Sequence, residues 1–299
     1  VDRPRYLTII ADDYGIGPAT SQGILDLAAR RRLNGAVMLV NSPHVESAVR
    51  AWRQAGRPLE LGWHPCLTLD RPILSAHRVP SLVDGDGRFH PLGAFVKHLL
   101  TGRIAAAEIE AEFRAQHRRF CDLIGHPPTF VSTHHHIQVF PPVGTILLDL
   151  LKHERPYLRK VCEPWRMLLR VPGALTKRTL LTVLGRRLAQ QQDAAGLPGN
   201  DWLAGITDPP LLRDPRFFTR WVRRVPGQIV ELSCHPGHID PTLIGRDCTL
   251  DDGMLQRRVR ELQLLRQPRF LAAVYGAGFT LVPPSQVAAL HRRRSADAA

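Results

Sequence analysis

Little in this 299-residue chain would hold it together covalently. Its five cysteines, Cys66, Cys121, Cys162, Cys234 and Cys248, are scattered and none forms a C-x-x-C pair. That spacing argues against a structural zinc knot or a disulfide framework, and all five are expected to be free thiols. No uninterrupted apolar run approaches the roughly 20 residues that a spanning helix needs. A charged leader followed by a long apolar region is missing as well, so no signal peptide is expected and the expected compartment is the cytoplasm. Acidic residues are few, 27 against 40 Lys and Arg, which leaves a net charge of +13. Such a charge suits a polyanion. Aromatics make up only 6%, however, and the basic residues are interspersed without stacking positions. Nucleic acid is therefore not the expected partner. No internal repeat and no linker divides the chain, so one domain is expected over 1–290, with a charged, disordered tail at 291–299.

What is present is an alternation of strand-like and helix-like segments, the pattern of a parallel α/β sheet. The apolar run Leu7-Thr8-Ile9-Ile10-Ala11 reads as a buried strand. Further strands are expected at 35–40, 59–63, 129–133, 228–233 and 279–282. Helices are expected from 18 to about 31, at 45–52, up to 100, and at 105–124, 143–153, 217–223 and 254–275. Residues 70–90, rich in Pro, Gly and Asp, read as a long functional loop. The segment 163–205 breaks the rhythm and reads as an Arg- and Leu-rich helical insert.

The chemistry sits at the strand ends. The first strand runs into Asp12-Asp13, followed by Tyr14 and Gly15. Two adjacent carboxylates at a strand end are unfavourable unless a cation or a proton lies between them. The plainer alternative is that one of them caps the helix starting near Pro18. Three other strands deliver histidines, in Trp63-His64-Pro65, Thr133-His134-His135-His136 and Cys234-His235-Pro236. Each has a plain reading too: a core histidine bonded to a carbonyl for His64, a polar loop for the triple, a turn for His235. In extended geometry His134 and His136 would point one way and His135 the other. Carboxylates and imidazoles at the ends of separate strands are nonetheless the parts of a divalent metal site on an α/β barrel.

These four stretches, Ala11-Asp12-Asp13-Tyr14-Gly15, Gly62-Trp63-His64-Pro65-Cys66-Leu67-Thr68, Ser132-Thr133-His134-His135-His136-Ile137 and Glu231-Leu232-Ser233-Cys234-His235-Pro236-Gly237, resemble the YdjC-like carbohydrate deacetylase family in order and spacing. The segment Leu158-Arg159-Lys160-Val161-Cys162-Glu163-Pro164, with Gly199-Asn200-Asp201-Trp202, is similar to its hopanoid-biosynthesis-associated branch. The resemblance implies a (β/α) TIM-barrel-like fold and removal of acetyl groups from N-acetylated sugars. It also implies one divalent ion, Mg2+ or Zn2+, on Asp13, His64 and His134. Asp12 is then the general base and His235, protonated, the general acid. Ser132, Gln138 and Cys66 depart from residues common in the family, which bears on the surroundings of the ion and not on its ligands.

The expected substrate is an N-acetylated sugar or a glycolipid. Peripheral contact with the inner membrane face is a further expectation, prompted by the 165–188 pattern of Leu168, Leu169, Leu180, Leu181, Leu184 and Leu188 among Arg166, Arg170, Lys177, Arg178, Arg186 and Arg187. A homodimer is compatible with the sequence. Two rivals stay open: another metal-dependent hydrolase or isomerase on the same barrel, and a non-catalytic nucleic-acid-binding protein.

Overall fold

A computed structural model of the chain describes residues 4–207 and 212–297, with the side chains described up to position 291. The fold is organised around β1 (Arg5–Tyr14), which is buried from Leu7 onward. A strand covered on both faces needs a near-continuous apolar run, as found here. β2 (Gly35–Met38) and β7 (Ile229–Cys234) flank it in parallel. β3 (Glu60–Trp63), β4 (Phe130–Val131) and β5 (Tyr157–Leu158) extend the β2 side. β6 (Trp202–Ala204) lies outside β7, and β8 (Phe279–Leu281) pairs with the first residues of β1. The order is β5-β4-β3-β2-β1-β7-β6, all parallel, with β8 on β1.

The sheet curls until its edges nearly meet. Leu203 N–H donates to the Cys162 carbonyl at 2.8 Å. The Asn200 side chain accepts from Lys160 N–H at 2.8 Å and donates to the Lys160 carbonyl at 2.9 Å. One amide thus satisfies the backbone that a missing strand would have paired. The outcome is the expected α/β class, a curled parallel half-barrel with helices around it.

The helices are α1 (Pro18–Ala29), α2 (Val45–Gln54), α3 (Leu92–Leu100), α4 (Ala106–Ile124), α5 (Pro141–Leu151), α6 (Trp165–Arg170), α7 (Leu175–Ala194), α8 (Phe217–Arg224), α9 (Met254–Arg266), α10 (Pro268–Gly276) and α11 (Pro284–Asp297). The 70–90 stretch holds only two short 3-10 turns and an isolated bridge between Val83 and Phe89.

Four places differ in detail from the sequence pattern. The 254–275 helix is two, because Gln267 is extended and Pro268 opens α10 without a free N–H. The 163–205 segment is more than an insert: α6 and α7 lie within it, and β6 makes it a strand-to-strand crossover. β5, two residues long, is too short to show an alternating pattern. The charged end expected as a tail continues α11 as helix to Asp297, while 298 and 299 fall outside the described residues. α7 lies close against the exit of β5, since a Cβ on Gly185 would stand 2.1 Å from the Val161 carbonyl.

Candidate metal centre and active site

Every predicted site residue lies at the C-terminal ends of the strands, where α/β barrels build their sites. Regular strands point successive side chains to opposite faces, yet Asp12 and Asp13 line one cavity. The register explains this. Ala11 faces Ala36 and Tyr14 faces Met38, so β1 carries one extra residue across that interval. The bulge sets Asp13 at φ 66° and Gly15 at φ 85° and turns both carboxylates inward.

His64 follows β3, with its N–H donated to the Met38 carbonyl at 3.0 Å. Its Nδ1 hydrogen-bonds the Ser132 carbonyl. A carbonyl only accepts, so the proton is on Nδ1 and the lone pair on Nε2. That Nε2 is buried without a hydrogen-bond partner, 3.3 Å from Asp13 Oδ1. His134 is anchored by its N–H on the Pro65 carbonyl at 2.9 Å, and its Nδ1 lies 3.0 Å from the same Asp13 oxygen. Donor atoms of Asp13, His64 and His134 all lie within 4.8 Å of one another, and all three residues are buried.

The histidine run is a kinked turn within His134–Val139, with His135 and His136 in the left-handed region at φ 54° and 55°, so the extended geometry assumed for it does not hold. All three histidines line the cavity. His135 Nδ1 is 2.9 Å from Thr68 Oγ1. Burial, reinforced by Arg159, pushes His136 down to about 3.

Asp12 has a different setting. Arg159 clamps it from both nitrogens at 2.6 and 2.7 Å. Arg159 Nε also reaches Glu231, which accepts from the Tyr157 hydroxyl. Ser233 Oγ donates to Asp12 Oδ2 at 3.1 Å, and His235 Nε2 is 3.8 Å from that oxygen. Burial would raise the Asp12 carboxyl, but Arg159 outweighs it and keeps the group ionised well below the usual range.

α9 supplies the third side. Arg258 Nη2 bridges Asp13 Oδ2 at 2.7 Å and Asp247 Oδ2 at 2.9 Å. Arg257 Nη2 lies 3.0 Å from His235 Nδ1 and pairs through Nε with Glu261 at 2.8 Å. A guanidinium only donates, so His235 Nδ1 accepts and the neutral ring carries its proton on Nε2. Burial and then Arg257 hold His235 well below the ordinary imidazole value.

These groups fit a divalent ion. Four buried carboxylates, Asp12, Asp13, Glu231 and Glu261, and the half-buried Asp247 meet three guanidiniums, Arg159, Arg257 and Arg258. Counted as ionised, with neutral imidazoles, these carboxylates outnumber the three guanidiniums by two, with Lys177 also on the cavity wall, and the orphan Nε2 of His64 points into the cavity.

Asp247, Arg257, Arg258 and Glu261 had no part in the sequence reading, and Arg159 and Glu231 appeared there without a role. One signal was available: Leu255, Arg258, Leu262 and Leu265 share one helical stripe, so Arg258 is a charge on an apolar face.

The YdjC-like protein family model matches residues 6–275. A carbohydrate deacetylase from Geobacillus stearothermophilus is 28% identical over 279 residues, covering 93% of this chain and 96% of its own. A chitooligosaccharide deacetylase from Klebsiella pneumoniae (strain 342) is 25% identical, covering 93% and 97%. Among solved structures, a putative cellobiose-phosphate cleavage protein from Enterococcus faecalis V583 superimposes with a TM-score of 0.73 at 24% identity, covering 95% of this chain and 99% of that one. By the extent of the family match, this chain belongs to the YdjC-like family.

Proposed function

We propose that this chain is a metal-dependent N-deacetylase of amino sugars, hydrolysing an acetamide to a free amine and acetate. The observation that carries the reading is one cavity of about 230 Å³ in which Asp13, His64 and His134 converge beside Asp12 and His235. The names of the two relatives agree with it. Two imidazoles and a carboxylate suit Zn2+ better than Mg2+. A divalent ion held there supplies Lewis acidity and a water of lowered pKa.

The chain's own residues do the rest. Asp12, fixed by Arg159, accepts the proton of the attacking water. His235 starts the cycle neutral and gives its Nε2 proton to the departing amine, while the proton that Asp12 took from the water passes to that Nε2, 3.8 Å from Asp12 Oδ2, so the ring ends neutral again. The motif likeness to the hopanoid-associated branch extends the substrate class to a lipid-linked N-acetylated amino sugar. The test is acetate release from a panel of N-acetylated chitooligosaccharides and glycolipids. Release that is lost on chelation and restored by a divalent ion supports the reading. No release from any member, with the ion bound, overturns it.

A further inference from the structure

α6 and α7 present an outer face that the catalytic reading does not use. Eleven large apolar side chains are exposed among the described residues, and five of them, Trp165, Leu169, Leu175, Leu180 and Val183, lie on these two helices. Burial sorts the rest of the segment. Leu168, Leu181 and Leu188 face the core, and so does Arg178. Arg178 pairs with Glu163 at 2.6 Å and donates to the Met167, Val171 and Gly173 carbonyls, which closes the end of α6.

The charges on the outer face are mostly positive: Asp193, near the end of α7, is exposed but paired with Lys160. Glu163 is the single carboxylate between positions 155 and 192, and it is buried against Arg178. Arg166, Arg170, Arg186 and Arg187 are exposed there, and no carboxylate among the described residues pairs with them. Leu180 stands one helical turn from Lys177, which lines the catalytic cavity, so the face borders the cavity mouth. Across that end of the barrel, Ile239, Ile244 and Leu250 are exposed in the connection after β7.

We infer that the α6–α7 face docks on an anionic lipid surface, with the apolar side chains in the headgroup boundary and the arginines on lipid phosphates. Surfaces that combine exposed Trp and Leu with cations bind membranes in this way. A second copy of the chain is the poorer occupant, because a self-complementary contact would place arginines against arginines. No helix among the described residues is long and apolar enough to cross a membrane, so the contact is peripheral. It holds whichever sugar the site accepts.

The experiment is co-sedimentation of the full chain with vesicles of phosphatidylcholine, and of equal parts phosphatidylcholine and phosphatidylglycerol. Binding is expected to the anionic vesicles and to weaken in high salt. Each cation at such a surface is worth about a fivefold change in partitioning, roughly 1 kcal/mol. Arg186→Glu with Arg187→Glu should therefore lower binding by on the order of several hundredfold, since reversal replaces attraction with repulsion. Leu180→Ser with Val183→Ser should weaken the binding that survives salt. Unchanged thermal unfolding and unchanged acetate release from a soluble chitooligosaccharide show that these variants fold. Equal, negligible binding of the wild-type chain to both vesicles overturns the inference. So does a dimer in sedimentation equilibrium that Leu180→Ser dissociates, because the face is then filled by a second copy.

Discussion

The cavity has two flanks, and they handle negative charge in opposite ways. On the β1–β4 flank, Asp13 keeps one oxygen on Arg258 and turns the other toward His64 and His134. On the β5–β7 flank, Asp12 has both oxygens on Arg159. Asp13 therefore has an oxygen to share with a cation, whereas Asp12 is tied back and cannot swing to join it. Adjacent residues of one type thus sit in different settings: a guanidinium holds one of them by half and the other entirely. The lone pair of His64 and the clamped carboxylate of Asp12 are two forms of the same device, in which one partner fixes a group's orientation and leaves its chemistry facing the cavity.

The comparison breaks most completely if the first flank holds no ion. His64→Ala removes a buried donor from the three, so the bound metal and the acetate release should both be lost, as read by elemental analysis and by activity. Full metal content in that variant would move the site elsewhere. Asp12→Asn tests the other flank. It should retain the ion and lower turnover on the order of 10²–10⁴-fold. Loss of the ion in Asp12→Asn would reverse the assignment of the two aspartates.

A third substitution asks what the clamp contributes to folding. Arg159→Met leaves Asp12 and Glu231 buried without their shared counter-charge. Removing one partner from such a buried set should cost about 3–5 kcal/mol of stability. Asp12→Asn combined with Arg159→Met should cost less than the two changes added together, because the second loss then strands one carboxylate, Glu231, in place of two. Strict additivity in denaturant unfolding would show that Arg159 and Asp12 do not act as a unit.

The first flank was legible in the sequence and the second largely was not, for physical reasons. Asp12, Asp13, His64, His134 and His235 each follow a short apolar run, so the strand pattern that reveals the fold also reveals where they meet. Three consecutive histidines, out of 14 in the 299 residues, stand out. Arginine is abundant here, and nothing local separates buried Arg159 from its exposed neighbours. β5 and β6 are two and three residues long, below the length at which alternation can be seen. The geometry of His134–Val139 could not be read at all, since nothing in the local pattern marks the left-handed turn at His135 and His136, and His134 is held from outside the run by the Pro65 carbonyl and Asp13.

The smallest expected effect concerns Arg257 and sharpens the second flank. Its Nη2 donates to His235 Nδ1 at 3.0 Å and its Nε is held by Glu261 at 2.8 Å, so it cannot turn away easily. Burial already disfavours the imidazolium, and the nearby guanidinium disfavours it further, which holds His235 below the ordinary imidazole value. Arg257→Gln removes the charge and keeps an amide donor for Nδ1. The sign follows from the charge. Without Arg257 the imidazolium is less disfavoured, so the pKa rises while burial still holds it below that of a free imidazole. His235 must be neutral when substrate binds, so less of the enzyme is competent at mildly acidic pH. The acid limb of kcat/KM should move to higher pH in Arg257→Gln, with the plateau changed less than the limb. The same shift should appear in the His235 ring proton resonance of the metal-loaded protein. A limb and a resonance that both stay in place would mean that Arg257 only supports Glu261, and that the neutral state of His235 is set by burial alone.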